Sequence, residues 1–213
     1  MNIAVGIGAG GHSKVVIDIL QLSSSWSIFG LLDANRDLHG KSVSGIPVLG
    51  DDSLLDDLLS RGVDHAFIGV GSSGDPGARV RLYNLAIKKG YNLVSAIHPS
   101  AIVAKSADIG IGITIMATAV INPHNRIGQN VIINTGAIVE HDCLIQDHVH
   151  IATGAKLTGQ VQVGIASHIG AGAVVRQNIK IGNNSIVGAG AVVVNDVPDN
   201  TTVVGVPAKP LIM

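Results

Sequence analysis

Residues 127–157 read IGQNVIINTGAIVEHDCLIQDHVHIATGAKL, with an aliphatic residue at every sixth position. The same spacing runs without a slip from Val103 to Val193, and all sixteen positions are Val, Ile or Leu. A period of six fits neither an amphipathic helix nor an alternating strand, whose side chains repeat every 3.6 and 2 residues. It is typical of a hexapeptide-repeat parallel β-helix, in which each hexad forms one short strand and one corner.

The sixteen aliphatic residues are predicted to form the core of this solenoid. Three hexads make one triangular coil of about 18 residues, so the repeat predicts five full coils and part of a sixth. The aliphatic side chains point inward and stack on those of neighbouring coils, about 4.8 Å away. The chain has only five aromatic residues, none beyond residue 91, which agrees with a narrow prism filled by Ile and Val.

The first 98 residues lack the six-residue period and alternate strand-like with helix-like segments. Strands are predicted at 3–7, 27–32, 65–70 and 92–97, and helices at 15–22, from the 51–53 cap to about 60, and from about 76 to 89. Residues 45–48 form a short extended piece. The alternation favours a small parallel sheet with helices on its faces. His98-Pro99-Ser100 breaks the pattern, so we predict two domains, 1–98 and 99–213.

Composition and charge exclude several classes of protein. Fourteen basic and fifteen acidic residues give a net charge of −1, and no basic block is present, so we expect no nucleic-acid partner. No apolar run reaches the roughly 18 residues of a membrane span. The start of the chain has no basic segment typical of a signal peptide, so we expect a cytoplasmic protein. Cys143 is the only cysteine and occupies an inward position, as a small core residue would.

The segment after the first predicted strand carries a glycine motif, Gly6-x-Gly8-x-x-Gly11, with Asp33 following 22 residues after Gly11. Such a turn lets phosphates approach backbone N–H groups at a helix N-terminus. Only about four strands follow, and no second mononucleotide-binding half is present. The motif therefore favours nucleotide binding in general over NAD in particular, with a purely structural tight turn as the alternative.

A histidine and an acid are adjacent at one predicted corner of the solenoid. Val139 is the inward residue of its hexad, so His141 and Asp142 fall at the corner. Gly159 follows His141 by 18 residues, one coil later, and its backbone N–H would face the same cleft. A base beside a free N–H donor is the minimal arrangement for acyl transfer. A solvated turn histidine is the alternative.

Other histidines raise the possibility of a metal site. His150 and His168 lie one coil apart at the same place in their hexads, and His124 lies one coil before Asp142. Some hexapeptide solenoids are zinc enzymes. No obvious third ligand lies on the same edge, so we expect no metal.

Six segments carry a resemblance to a known family: 8–16 (GAGGHSKVV), 97–101 (IHPSA), 134–137 (NTGA), 140–143 (EHDC), 150–155 (HIATGA) and 205–209 (GVPAK). The chain resembles the sugar acetyltransferases of the left-handed β-helix class that carry an N-terminal nucleotide-binding domain. These include UDP-4-amino-sugar and GDP-perosamine N-acetyltransferases and sialic-acid O-acetyltransferase-like proteins. The resemblance implies a Rossmann-like α/β nucleotide-sugar-binding domain at 1–98 and a left-handed β-helix acyltransferase domain with a C-terminal tail at 99–213.

The resemblance also implies roles for particular residues on the solenoid. His141 matches the general base, and Asp142 matches the acidic neighbour that raises its basicity. His150 and the backbone of Gly159 match groups that meet the acetyl end of acetyl-CoA. Two further positions, Ala171 and Ala189, match backbone contacts along that cofactor.

The nucleotide-sugar pocket is implied in the N-terminal domain. Its matching residues are Gly10, Gly11, His12, Asp33, Ala34 and Gly71. Two features depart from the family pattern: many relatives have two acids where this chain has Asp33-Ala34, and the loop after Gly71 is longer here. These departures leave UDP, GDP and dTDP open as the nucleotide.

The function implied is transfer of an acetyl group from acetyl-CoA to the 4-amino group of a nucleotide-linked 4-amino-4,6-dideoxy sugar, by a homotrimer. Flat faces rich in Ile and Val would pack against copies with cyclic symmetry. The closest alternative is O-acetylation of sialic acid or a related sugar. A zinc lyase of the carbonic-anhydrase type and a non-enzymatic, nucleotide-sensing trimer are more distant alternatives.

Overall fold

The structure is a computed structural model and describes residues 2–211. The chain divides into two compact units. The first contains the residues up to 71 and 77–99, and the second contains 72–76 and the residues from 100 onward. No helix among residues 2–211 is long and apolar enough to cross a membrane.

The first unit is a six-stranded sheet with helices. Its elements are β1 (Asn2–Ile7), α1 (Gly11–Leu22), β2 (Trp26–Leu32), β3 (Ser42–Val43), β4 (Ile46–Gly50), α2 (Leu55–Ser60), β5 (His65–Ile68), α3 (Gly77–Lys89), β6 (Asn92–Leu93) and β7 (Ala96–Ile97). The sheet order is β3-β4-β2-β1-β5-β6. All its pairs are parallel except β3 with β4, a hairpin at the edge. The last four residues of central β1 are buried, and the strand has a neighbour on each side.

Several boundaries in this unit differ from the predicted ones. Helix α1 begins at Gly11, four residues early, because Gly10 takes the extended N-cap conformation. The extended piece at 45–48 is a full strand, β4, paired with β2. The helix after Asp51 begins as a 3-10 turn at Asp52–Leu54, where the Asp51 carboxylate accepts a hydrogen bond from Ser53 N–H. The strand predicted at 92–97 is split into β6 and β7.

The second unit is a parallel β-helix of sixteen two-residue strands. Those strands, β8 to β23, are Ile102–Val103, Asp108–Ile109, Thr114–Ile115, Val120–Ile121, Arg126–Ile127, Ile132–Ile133, Ile138–Val139, Leu144–Ile145, His150–Ile151, Lys156–Leu157, Gln162–Val163, His168–Ile169, Val174–Val175, Lys180–Ile181, Ile186–Val187 and Val192–Val193. The second residue of each is one of the sixteen predicted inward positions. From Ile115 to Val193 these residues are all buried, and only Val103 and Ile109 are partly exposed.

Each strand pairs in parallel with the strand 18 residues further on, which gives the solenoid three faces. The β14 face contains β8, β11, β14, β17, β20 and β23; the β15 face contains β9, β12, β15, β18 and β21; the β16 face contains β10, β13, β16, β19 and β22. At the C-terminal end, β24 (Thr202–Val204) extends the β16 face, and β25 (Lys209–Pro210) pairs with it antiparallel.

Every corner from residue 112 to residue 190 turns on one residue with positive φ. These residues recur every six positions, and five of them are glycine. Asn and Asp tolerate this left-handed backbone better than other residues, which explains their frequency at the remaining corners. Asp142 is one of them, with φ of 59°.

Candidate active site

His141 and Asp142 lie on the corner between the β14 and β15 faces, hereafter the His141 corner. His141 Nδ1 and Asp142 Oδ2 are 2.8 Å apart. Because a carboxylate only accepts hydrogen bonds, His141 donates through Nδ1–H, and its Nε2 has a lone pair. The His141 side chain is 56% exposed, so this nitrogen can be reached by a substrate.

Gly159 lies directly against the imidazole of His141, one coil further along the same corner. A Cβ added at Gly159 would lie 2.7 Å from His141 Cε1 and 2.8 Å from its Nε2. Only glycine therefore allows this ring position. The Gly159 N–H has no acceptor among residues 2–211, so a donor is available beside the basic nitrogen.

Cys143 follows the corner but cannot act as a nucleophile there. Its side chain is buried in the solenoid core, and Sγ donates to the carbonyl oxygen of Thr158 at 3.3 Å. Burial raises the pKa of the thiol to about 11. The reactive thiolate is therefore scarce at neutral pH.

The predicted cofactor residues His150, Ala171 and Ala189 line one groove of about 480 Å³ in the second unit. Ala171 and Ala189 lie on the corner between the β16 and β14 faces, hereafter the Ala171 corner. Their backbone N–H groups have no acceptor among the described residues. The groove is therefore lined by free amide donors. Gly159 does not line this groove and lies on the His141 corner, one coil after His141, as its spacing in the sequence predicted.

The imidazoles of His150 and His168 form the side wall of this groove, with ring centroids 4.9 Å apart. His150 Nδ1 donates to the Ser72 carbonyl at 2.8 Å, and its Nε2 accepts from the Asn134 amide at 3.2 Å. His168 Nδ1 is buried without a well-aligned hydrogen bond in the described chain. Burial lowers the pKa of His168, and the nearby Ser72 carbonyl offsets part of that effect. Among residues 2–211, no cluster of three His, Cys, Asp or Glu side chains could hold a metal ion.

In the first unit, Gly10, Gly11 and His12 form the start of α1. No side chain caps this helix, and no acid lies in its first turn. Nothing lies within 4 Å of a Cβ added at Gly10 or Gly11, so the space beside the first residues of the helix is open. A Cβ added at Gly71 would lie 3.6 Å from the Cβ of His12, so Gly71 lies beside this side chain. This is the geometry of an anion-binding helix N-terminus.

Asp33 and Ala34 line a cavity of about 140 Å³ at the carboxyl ends of β1 and β2. Asp33 Oδ2 accepts from Ala9 N–H at 2.7 Å, and Oδ1 accepts from Asn35 N–H at 2.8 Å. The carboxylate thus ties the glycine turn to the end of β2. A larger open groove of about 720 Å³, on the solenoid at 176–179 and 195–196, contains none of the predicted residues.

Comparison with known proteins supports the family suggested by the sequence. Residues 2–85 match the PglD N-terminal domain family. A mutant of perosamine N-acetyltransferase from Caulobacter crescentus, in complex with CoA and GDP-perosamine, is 40% identical, with a TM-score of 0.93 over 100% of this chain and 98% of that one. The acetyltransferase domain of PglB from Neisseria gonorrhoeae, in complex with acetyl coenzyme A, is 40% identical, with a TM-score of 0.90 over 99% and 100%.

WeeI from Acinetobacter baumannii is 30% identical, with a TM-score of 0.86 over 99% of this chain and 100% of that one. No curated protein sequence matches the chain. The chain belongs to the left-handed β-helix sugar acetyltransferases. The predicted family, the fold class and the acetyl-CoA-dependent enzyme class are confirmed.

Three residues of this sugar acetyltransferase were missed at the sequence level. Asp52 and Arg81 line the cavity beside Asp33, although the sequence suggested only a helix cap and an ordinary helix surface. Arg79 is fully buried on α3; its Nη1 donates to the carbonyl oxygens of Ile68 and Val70 and lies 3.3 Å from His12 Nε2. Burial lowers the pKa of its guanidinium to about 9. A buried arginine leaves no periodic signal in a sequence.

Proposed function

We propose that the protein transfers the acetyl group of acetyl-CoA to the 4-amino group of a nucleotide-linked 4-amino-4,6-dideoxy sugar, in cell-surface or glycoprotein glycan biosynthesis. One observation carries the chemistry. His141 Nδ1–H is held by Asp142, its Nε2 is accessible, and the free N–H of Gly159 lies beside it. This combination suits attack of an amine on a thioester, which needs a base and an oxyanion donor.

In the proposed reaction, the amine nitrogen attacks the thioester carbonyl while His141 Nε2 takes a proton from it. Asp142 orients the imidazole and stabilises its charged form, as the acid of a catalytic triad does. Gly159 N–H donates to the developing oxyanion. The imidazolium then gives the proton to the sulfur of the departing CoA, and the amide is released. No acyl-enzyme is needed, in keeping with the burial of Cys143.

The groove at the Ala171 corner is the proposed site for the pantetheine chain of acetyl-CoA. The free N–H groups of Ala171 and Ala189 suit the carbonyl oxygens of its two amides. His150 would meet the acetyl end. Its Nε2 accepts from Asn134 and its Nδ1 is engaged by Ser72, so the ring orientation is already fixed.

We further propose a homotrimer, because the proposed base and cofactor groove lie on different corners of one solenoid. The β14 face lies between these two corners. Its outward residues are Ile102, Val120, Ile138, Lys156, Val174 and Val192. The outward residues of the β15 face are mostly polar: Asp108, Arg126, Leu144, Gln162 and Lys180. If three copies of the chain pack with the β14 face of each solenoid towards a common threefold axis, the His141 corner of one copy lies beside the Ala171 corner of the next.

The first unit is the proposed binding site for the nucleotide. The uncapped start of α1, with open space at Gly10 and Gly11, suits the diphosphate. The cavity at Asp33 and Ala34 lies at the carboxyl ends of parallel strands, where such folds bind ligands. Because acetyl-CoA is used inside cells, we propose that the protein acts in the cytoplasm.

The function is tested by thiol release from acetyl-CoA with UDP-, GDP- and dTDP-linked 4-amino-4,6-dideoxy sugars. Each amino sugar is paired with its 4-hydroxy counterpart as a control. We expect release with at least one amino sugar and none with its counterpart. Release only with hydroxyl substrates, including free sialic acid, would replace N-acetylation by O-acetylation. The trimer is tested by light scattering, and an active species of monomer mass would contradict it.

A further inference from the structure

The cavity in the first unit has one polar edge that the nucleotide-binding motifs do not explain. Its walls are aliphatic, from Ile7, Leu32, Val70 and Leu82 among others, and suit the faces of a planar ring. Asp33, the predicted ligand, uses both carboxylate oxygens to hold backbone N–H groups. Besides Asp33, the lining contains two further polar groups that can contact the edge of a ring.

Asp52 and Arg81 are those groups. Arg81 Nη1 lies 3.7 Å from Asp52 Oδ2, which is within ion-pair distance but too long for a hydrogen bond. Neither side chain makes a hydrogen bond within residues 2–211. The pair thus holds two carboxylate acceptors and a guanidinium donor side by side, with their hydrogen-bonding capacity unused.

This row of acceptor, acceptor and donor matches one nucleobase. The Watson–Crick edge of guanine presents the 2-amino group, N1–H and O6, which is donor, donor and acceptor. Uracil and thymine present one N–H between two carbonyl oxygens, and a carboxylate would be repelled by either oxygen. Cytosine and adenine offer one amino group beside an unprotonated ring nitrogen. Only guanine places two donors against Asp52 and an acceptor against Arg81.

We infer that the nucleotide of the substrate is guanosine diphosphate, selected by Asp52 through N1–H and the 2-amino group and by Arg81 through O6. This inference rests on the proposed function, because it concerns the nucleotide of the same substrate. It assigns base selection to two residues outside the glycine turn and the acidic end of β2. The sequence left UDP, GDP and dTDP open.

Stability does not explain the pair. The two side chains are 41% and 63% exposed, and an exposed pair at this distance contributes little to folding. Replacing either residue should therefore leave the fold intact. Asp57, which pairs with Arg61 at 3.4 Å on the surface, does not line the cavity and gives a matched control.

The test is calorimetric binding of GDP, IDP, UDP and dTDP to the full chain. IDP keeps N1–H and O6 but lacks the 2-amino group. A hydrogen bond to a charged group is worth about tenfold or more in affinity, so GDP should bind at least about tenfold tighter than IDP. UDP and dTDP should bind more weakly than GDP. Equal binding of GDP and IDP, or tighter binding of UDP or dTDP, would overturn the inference.

Two variants separate the contacts. Asp52→Ala removes both acceptors, so GDP affinity should fall and the preference for GDP over IDP should disappear. Arg81→Met removes the donor to O6, which GDP and IDP share, so both affinities should fall by the same factor and the preference should remain. Asp57→Asn should change neither. A preference that survives in Asp52→Ala would refute the role of Asp52, and unchanged GDP affinity in Arg81→Met would refute that of Arg81.

The two levels of the proposal fail in different ways. If UDP or dTDP binds best, the nucleotide-sugar acetyltransferase stands and only the guanine assignment is lost. If none of the four diphosphates binds, the nucleotide-linked substrate itself is contradicted.

Discussion

The contact between Gly159 and His141 can be perturbed by a single methyl group. In Gly159→Ala, the new Cβ would start 2.7 Å from His141 Cε1, and ordinary contact requires 3.4 Å or more. The imidazole must therefore retreat by about 0.7 Å. It can do so cheaply, because the side chain is 56% exposed and has solvent on its open side. A misplacement of about 1 Å costs on the order of 10² in rate, so we expect kcat to fall by about 10² with an unchanged Tm.

The assay is thiol release from acetyl-CoA with both substrates saturating, beside a thermal melt of each variant. The double variant Gly159→Ala/His141→Ala is the control. If the methyl group acts by displacing the base, the double variant should be as slow as His141→Ala alone. A double variant slower than His141→Ala would locate the loss at the Gly159 N–H instead. If Gly159→Ala retained kcat within about threefold of wild type, the proposed position of the base would be wrong.

Four further predictions concern single residues. His141→Asn should lower kcat by about 10² to 10⁴. Asp142→Asn should lower kcat less, and asparagine tolerates the left-handed backbone at this position. Equal losses of kcat in the two variants would mean that Asp142 does more than orient the base. Asp33→Ala should raise KM for the sugar nucleotide more than it lowers kcat, because the carboxylate fixes the glycine turn; the reverse pattern would move the pocket elsewhere. Cys143→Ala should keep kcat, and iodoacetamide should inactivate the native enzyme only slowly at about pH 8, because a thiol with a pKa of about 11 is almost entirely protonated there. Burial lowers the pKa of His168 in the native state, so the native state binds fewer protons than the unfolded state and stability falls as pH drops below about 6.5. Between about pH 7 and about pH 5, Tm should therefore fall less steeply in His168→Gln than in the wild type. If the two plots of Tm against pH were parallel, His168 would not be the cause of the acid destabilisation.

The sequence was sufficient to predict the solenoid because its geometry repeats at a fixed interval. A period of six located the inward residue of each of the sixteen strands, and a spacing of 18 placed Gly159 one coil after His141. The N-terminal cavity could not be predicted in the same way. Asp52 and Arg81 are 29 positions apart on elements that only the order of the sheet brings together. The bonds from Ala9 and Asn35 to Asp33 depend on loop geometry that leaves no pattern in the sequence.

The three corners of the solenoid share one backbone conformation but differ in which N–H groups are available. At the corner between the β15 and β16 faces, side chains from the next coil accept from the residue before the left-handed position. These bonds are Gln129 N to Asp147 Oδ1, Ile165 N to Asn183 Oδ1 and Asn183 N to Asp199 Oδ1, at 2.8, 2.8 and 2.9 Å.

The equivalent positions on the other two corners include Gly159, Ala171 and Ala189, whose N–H groups have no acceptor in the described chain. Glycine and alanine carry no side-chain acceptor, so they cannot accept a hydrogen bond from the N–H of the preceding coil as Asp147 and Asn183 do. An Asp or Asn at this position can therefore occupy the N–H of the preceding coil with a hydrogen bond. Without such a residue, that N–H remains available to a ligand. Because the acceptor comes from the next coil, an Ala189→Asp substitution would supply one for the N–H of Ala171 beside the cofactor groove, and it should weaken acetyl-CoA binding without unfolding the coil.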